Sequence, residues 1–159
     1  MLKIAYTFFL GIMLAIFVGF GIAAFYEQPA MPKWPTELLT IGKESSLEQE
    51  KTQKEFDAKQ EAWNEKMRPY NRNVSIMTLL AAVIFVAISL LFEHKISILA
   101  DGIMLGGVFT LVYSLGRGIA SQDSKYSFGI VTIGLIIVLT LGYLRFIQPN
   151  PELAAKLKK

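Results

Sequence analysis

VSIMTLLAAVIFVAISLLF-EHK-ISILADGIMLGGVFTLVYSLGRGI, residues 74–119, holds two long apolar runs joined by three polar residues. A helix needs about 20 residues, at 1.5 Å rise each, to cross a hydrocarbon layer about 30 Å thick. Both runs, 74–92 and 96–119, have that length. The connection Glu93-His94-Lys95 is so short that the two helices must be antiparallel neighbours. Working outward, residues 4–26 and 128–147 have the same length and character. The fold class expected is all-α: a polytopic membrane protein with four transmembrane helices in a four-helix bundle. Residues 27–73 form a long polar loop between the first two spans, and 148–159 form a basic tail.

Composition supports the same class. Of 159 residues, 53% are hydrophobic, and the mean hydropathy is +0.43. Clustering of that apolar content places the chain among membrane proteins. The formal net charge is only +3, and the basic residues are scattered, so a nucleic-acid footprint is not expected. There is no cysteine, which excludes disulfides, thiolate metal sites and the electron shuttling of disulfide-forming membrane enzymes. A single histidine, His94, cannot make a multi-histidine metal or haem site. No catalytic triad, phosphate loop or carboxylate pair is visible, so neither enzyme activity nor a cofactor is expected.

The first span begins with Lys3 and ends at Tyr26. Its apolar run exceeds that of a cleaved signal peptide, about 7–15 residues, so a retained signal-anchor helix is expected. Beyond it, Pro29, Pro32 and Pro35 recur every third residue, which suits an extended exit from the membrane, with Trp34 as an interface anchor. A soluble helix over about 46–68 follows. Ser45 and Glu48 match a capping box, and Glu50–Lys54 and Glu55–Lys59 have the favourable acid-to-base order. Pro69 is expected to stop or kink that helix, with Asn73 capping the next. Phe56, Trp63 and Met67 form a thin apolar stripe on it, a candidate surface for a partner or for the bundle's own end.

Small residues recur every fourth position in two spans: Gly11, Ala15, Gly19 and Ala23 in the first, and Gly102, Gly106, Thr110, Ser114 and Gly118 in the third. Lipid tails are as apolar as leucine, so close backbone approach, not apolar burial, holds membrane helices together. The two ridges are expected to face each other, or each a tight neighbour, so that Gly106→Leu or Gly19→Leu loosens the bundle. Spans two and four, richer in bulky branched residues, are expected on the outside.

Two ionisable residues stand at membrane depth. Asp101 lies one turn inside the third span, and Arg145, near the end of the fourth, is its expected ion-pair partner. Arg117, at the other end of the third span, is expected to snorkel to the headgroups, to pair with Asp123 or Glu27, or to hold a lipid phosphate. Small multidrug exporters also have four spans, but their acid lies deep in the first helix, where this chain has none. Three function classes follow. The first is a non-enzymatic accessory or scaffold subunit binding another membrane protein, or a second copy, through the loop helix or a helix face. The second is a small oligomeric channel or transporter using Asp101 or Arg117. The third is a lipid-binding, membrane-organising protein. The expected location is a prokaryotic plasma membrane. Basic residues near the span ends divide almost equally between the two sides, and Lys3 before the first span together with the lysine-ended tail tips the expectation to termini in the cytoplasm and loop 27–73 outside.

Overall fold

The computed structural model describes residues 1–35, 46–92 and 96–144, the side chains of 46–49 excepted. The described residues form four helices and no strand: α1 (Leu2–Phe25), α2 (Ser46–Phe92), α3 (Ser97–Ile119) and α4 (Ser124–Gly142). All four are long and apolar enough to cross a membrane. Helix α4 starts a turn earlier than its apolar run, because the Asp123 carboxylate accepts from the backbone N–H groups of Lys125 and Tyr126. It widens into a π turn at Tyr143 and Leu144. The expected span end at 147, the basic tail, Ser45 of the capping box, His94 and Arg145 lie outside the described residues.

The largest departure from expectation is α2. The loop helix and the second span are one continuous helix of 47 residues, with Pro69 inside it, so the proline does not stop the helix. Proline removes one N–H from the helical ladder and costs about 3 kcal/mol in a free helix. Contacts on either side of Pro69 hold the rod instead. The Arg68 guanidinium donates twice to Gln122 Oε1, at 3.2 and 3.1 Å, and Asn71 Nδ2 donates to Ala120 O at 3.1 Å. Asn73 is therefore no cap; it lies within the helix and its Nδ2 donates to Tyr26 Oη at 2.8 Å. Residues 74–92 are the apolar part, and the polar turns below residue 74 extend about 40 Å beyond it. Near the start of that extension Glu50 and Lys54 pair at 2.7 Å, whereas Glu55 and Lys59 do not.

Helix α3 is the hub. It packs most extensively on α2, then on α1, and on α4 over a shorter stretch; α1 and α4 share no extensive contact. The helices thus surround α3 rather than closing a square bundle. Helix α2 is not an outer helix, as its bulky residues had suggested. Its seam to α3 is built from small residues every seventh position. Ser75 lies opposite Ser114, Ala82 opposite Gly107 and Ser89 opposite Ala100. All of these are buried. A seven-residue period keeps one stripe turned to its partner along a left-handed supercoil.

Hydroxyls cross this seam. Ser75 Oγ donates to Ser114 O at 2.8 Å while Ser114 Oγ donates to Ser75 O at 2.7 Å, a reciprocal clamp. At the far end Ser89 Oγ donates to Ala100 O at 2.7 Å. Such bonds between membrane helices average about 0.6 kcal/mol, so several together fix register more than they add stability. The threonines Thr7, Thr78, Thr110, Thr132 and Thr140 bond the carbonyl four residues back in their own helices. No buried side-chain polar atom among the described residues lacks a partner.

The α1–α3 contact is short and close. A Cβ on Gly106 would stand 2.9 Å from Leu14 Cβ, one on Gly102 2.6 Å from Leu10 Cδ2, and one on Gly11 3.2 Å from Gly106 N. Phe8 and Phe109 meet edge-to-face beside it, with ring centroids 5.7 Å apart. The helices run the same way and then part, so that a Cβ on Gly19 would meet nothing within 4 Å. Gly19→Leu therefore has no neighbour to displace and, contrary to expectation, does not loosen the fold.

Candidate functional site

The polar groups gather where α2 leaves the apolar zone and α3 ends. Arg117 is in the last turn of α3. Its Nη1 donates to Asn71 Oδ1 at 2.9 Å and its Nε to Tyr113 Oη at 3.0 Å. The guanidinium carbon lies 5.7 Å from the Tyr70 ring centroid and 5.5 Å from that of Tyr113. Two electron-rich ring faces and one amide oxygen thus stabilise the cation. Asp123, expected to pair with Arg117, is engaged instead as the cap of α4. No carboxylate among the described residues forms an ion pair with Arg117, and its Nη2 bonds no described residue.

Asn71, buried in α2, ties this site together: it accepts from Arg117 and donates to the carbonyl of Ala120. The loop after α3 then turns at Gln122, whose φ of 58° is in the left-handed region that a glutamine rarely adopts. The Arg68 fork on its side chain holds it there. Arg68, Arg72 and Lys125 line a cleft with Gln122 and Asp123 beside this turn. Tyr126 Oη donates to Arg72 O at 3.1 Å, so α4 is also tied to α2 here.

On the α1 side the exit segment lies along the α2 extension. Tyr26 stacks on Tyr70 with centroids 5.1 Å apart and planes at 7°. Trp63 Nε1 donates to Pro29 O at 3.0 Å, and Trp34 meets Phe56 edge-on at 4.7 Å. Phe56, Met67 and Tyr70 are buried as a result, and Trp63 is half-buried. The stripe of Phe56, Trp63 and Met67 is thus covered by the chain's own residues 26–34 and is not a free partner surface. Trp34 is no interface anchor either: Phe56, its neighbour, stands about 27 Å along the helix from Val74.

The small-residue ridges divide by partner. Gly11, Gly102 and Gly106 meet at the α1–α3 crossing. Ser114 faces Ser75 in α2, and a Cβ on Gly118 would stand 2.7 Å from Ile130 Cγ2 in α4 and 3.1 Å from Ser75 Oγ. Thr110 is buried and bonds its own helix. Ala15, Gly19 and Ala23, with Ile16, Phe20 and Tyr113, line an open apolar groove of about 380 Å³ where α1 diverges from α3.

Asp101 lies at the opposite end of α3, half-buried, in a groove shared with Lys3, Ile4 and Thr7. Its expected partner Arg145 falls outside the described residues. Asp101 and Arg117 stand about 24 Å apart along α3 and do not form one site. Among the described residues no three His, Cys, Asp or Glu side chains are grouped to hold a metal.

Sequence reasoning does not single out Tyr26, Asn71, Ser75 or Ser89, and it reaches Tyr70 only as the end of the Phe56–Trp63–Met67 stripe. The serines carried a signal, a seven-residue spacing matched in α3. Tyr26 carries none, since only the fold of the exit segment brings it onto Tyr70. Comparison with protein-family models, curated proteins and solved structures finds no match.

Proposed function

We propose that the chain is a non-enzymatic accessory or scaffold protein of a membrane, which carries a braced stalk beyond the bilayer and receives a partner on the stalk's charged outer face. The carrying observation is the continuity of α2 from its apolar part into a polar extension about 40 Å long, with residues 26–34 fastened along one side. A lone helix with so few apolar residues gains little from burial and frays readily. Here the Tyr26, Pro29 and Trp34 contacts brace it and leave the opposite, charged face exposed. The polar groups at the membrane boundary support the same reading: Asp123 caps, Arg68 props a turn, and Asn71 joins three segments.

In-cell photocrosslinking tests it. A photoreactive residue at Ala58 or Glu65, both exposed and on the face away from the strap, should give a discrete protein adduct. The same residue at lipid-exposed Leu80 should not. Absence of any adduct from the stalk positions contradicts the proposal.

A further inference from the structure

The geometry points to a binding site for an anionic phospholipid, with its phosphate on Arg117 and one acyl chain in the Ala15–Gly19–Ala23 groove. Three observations converge. The first is the groove itself: it is lined by Ala15, Ile16, Gly19, Phe20, Ala23 and the Tyr113 ring, with no charged group. From Ala15 to Ala23 it runs about 12 Å along α1, toward the membrane boundary. In a bilayer such a furrow is filled by a lipid tail or by another helix.

The second is the group at its head. Tyr113 lines the groove and also holds Arg117 Nε, so the cation sits where the furrow meets the headgroup level. The third is the charge balance. Arg117 has neutral oxygens and ring faces around it but forms no ion pair with any described carboxylate. Its Nη2 bonds no described residue, and a planar guanidinium suits phosphate oxygens. Tyr70, Tyr113 and Asn71 fix the fork in place, so little side-chain freedom remains to be lost on binding.

A second copy of the chain fits the same furrow less well. A two-fold axis along the membrane normal brings the partner's Arg117 to the same depth, and like charges then oppose each other. An anionic lipid supplies the missing charge and the apolar filler together.

The test uses the full chain in nanodiscs of equal phosphatidylglycerol and phosphatidylcholine, with retained lipid read by native mass spectrometry. The wild type should retain phosphatidylglycerol preferentially. Arg117→Gln should reduce that preference about fivefold, the weight of one basic residue at a membrane surface. Gly19→Leu, which adds a side chain where no protein atom lies within 4 Å, should keep the wild-type melting temperature and lose retained lipid of both kinds. Lys125→Gln, which removes a neighbouring surface charge, should change the preference less than Arg117→Gln. The site is overturned if Gly19→Leu retains lipid as the wild type does, or if Arg117→Gln keeps the preference. Equal effects of Lys125→Gln and Arg117→Gln overturn it too, since they indicate a diffuse surface potential. So does a wild-type dimer that Gly19→Leu dissociates with lipid retention unchanged. Should Arg117→Gln fail to fold, Gly19→Leu alone decides.

Discussion

Gly107→Leu is expected to separate α2 from α3 and to be the most damaging single substitution in the spans. A Cβ at position 107 would stand 3.2 Å from the backbone oxygen of Ala82, 3.1 Å from Val86 Cγ2 and 3.4 Å from Phe85 Cβ. A backbone oxygen cannot rotate away, so the two rods must move apart. Overpacking of this kind costs about 1–3 kcal/mol by itself. Position 107 is also the midpoint of the seam. Spreading the helices there stretches the Ser75–Ser114 clamp on one side and the Ser89–Ala100 bond on the other, each worth about 0.6 kcal/mol. A lowered melting temperature in detergent, together with loss of monodispersity, is the expected reading. Unchanged melting would mean that α2 and α3 do not pack through Gly107.

Gly106→Leu is expected to be nearly as severe but to act on a different helix. Adjacent positions on α3 point about 100° apart, and here one glycine faces α2 while the next faces α1. At Gly106 the obstacle is Leu14, with its Cβ at 2.9 Å and Cδ1 at 3.0 Å. A leucine side chain yields in part, so a cost of about 1–3 kcal/mol is expected without the added hydrogen-bond loss. Helix α1 should detach while the α2–α3 hairpin persists. Because the chain has no cysteine, a cysteine pair placed at Ser89 and Ala100 would report the hairpin alone. It should still form its disulfide in Gly106→Leu and fail to form it in Gly107→Leu. Equal crosslinking in both variants would contradict this division of labour.

Length and apolar clustering made the four spans legible before any coordinates. The four-residue ridge likewise pointed to Gly11, Gly102 and Gly106. It did not reveal that Gly19 and Ala23 stand clear of α3, because a period fixes which residues share a face, not how far two helices stay in contact. The serine ladder was readable in principle, since Ser75, Ala82 and Ser89 repeat every seven residues and so do Ala100, Gly107 and Ser114. A search for four-residue steps passes over it.

Pro69 shows where local rules give way. A proline after a charged helix is a sound stop signal when nothing else acts on the chain. Here Arg68, Tyr70 and Asn71 are each held by another segment, and those contacts outweigh one missing donor. None of the three partners, Gln122, Tyr26 and Ala120, is near in sequence. The same long-range folding hid the fate of the Phe56–Trp63–Met67 stripe, whose cover comes from residues 26–34. Asp123 differs from expectation for a related reason: its charge suggests a pair with Arg117, while its position before Ser124 makes it the cap of α4.

The proposed stalk rests on α2 being a single rod from the bilayer outward. A direct measurement places spin labels at Ala58→Cys and Leu80→Cys, both exposed and about six turns apart on one face of the helix. Double electron–electron resonance on the protein in nanodiscs should give one narrow distribution centred at about 33 Å, the rise of 22 helical residues. A broad distribution, or a maximum several ångströms shorter, would mean that the helix breaks at Pro69 and that no braced stalk exists.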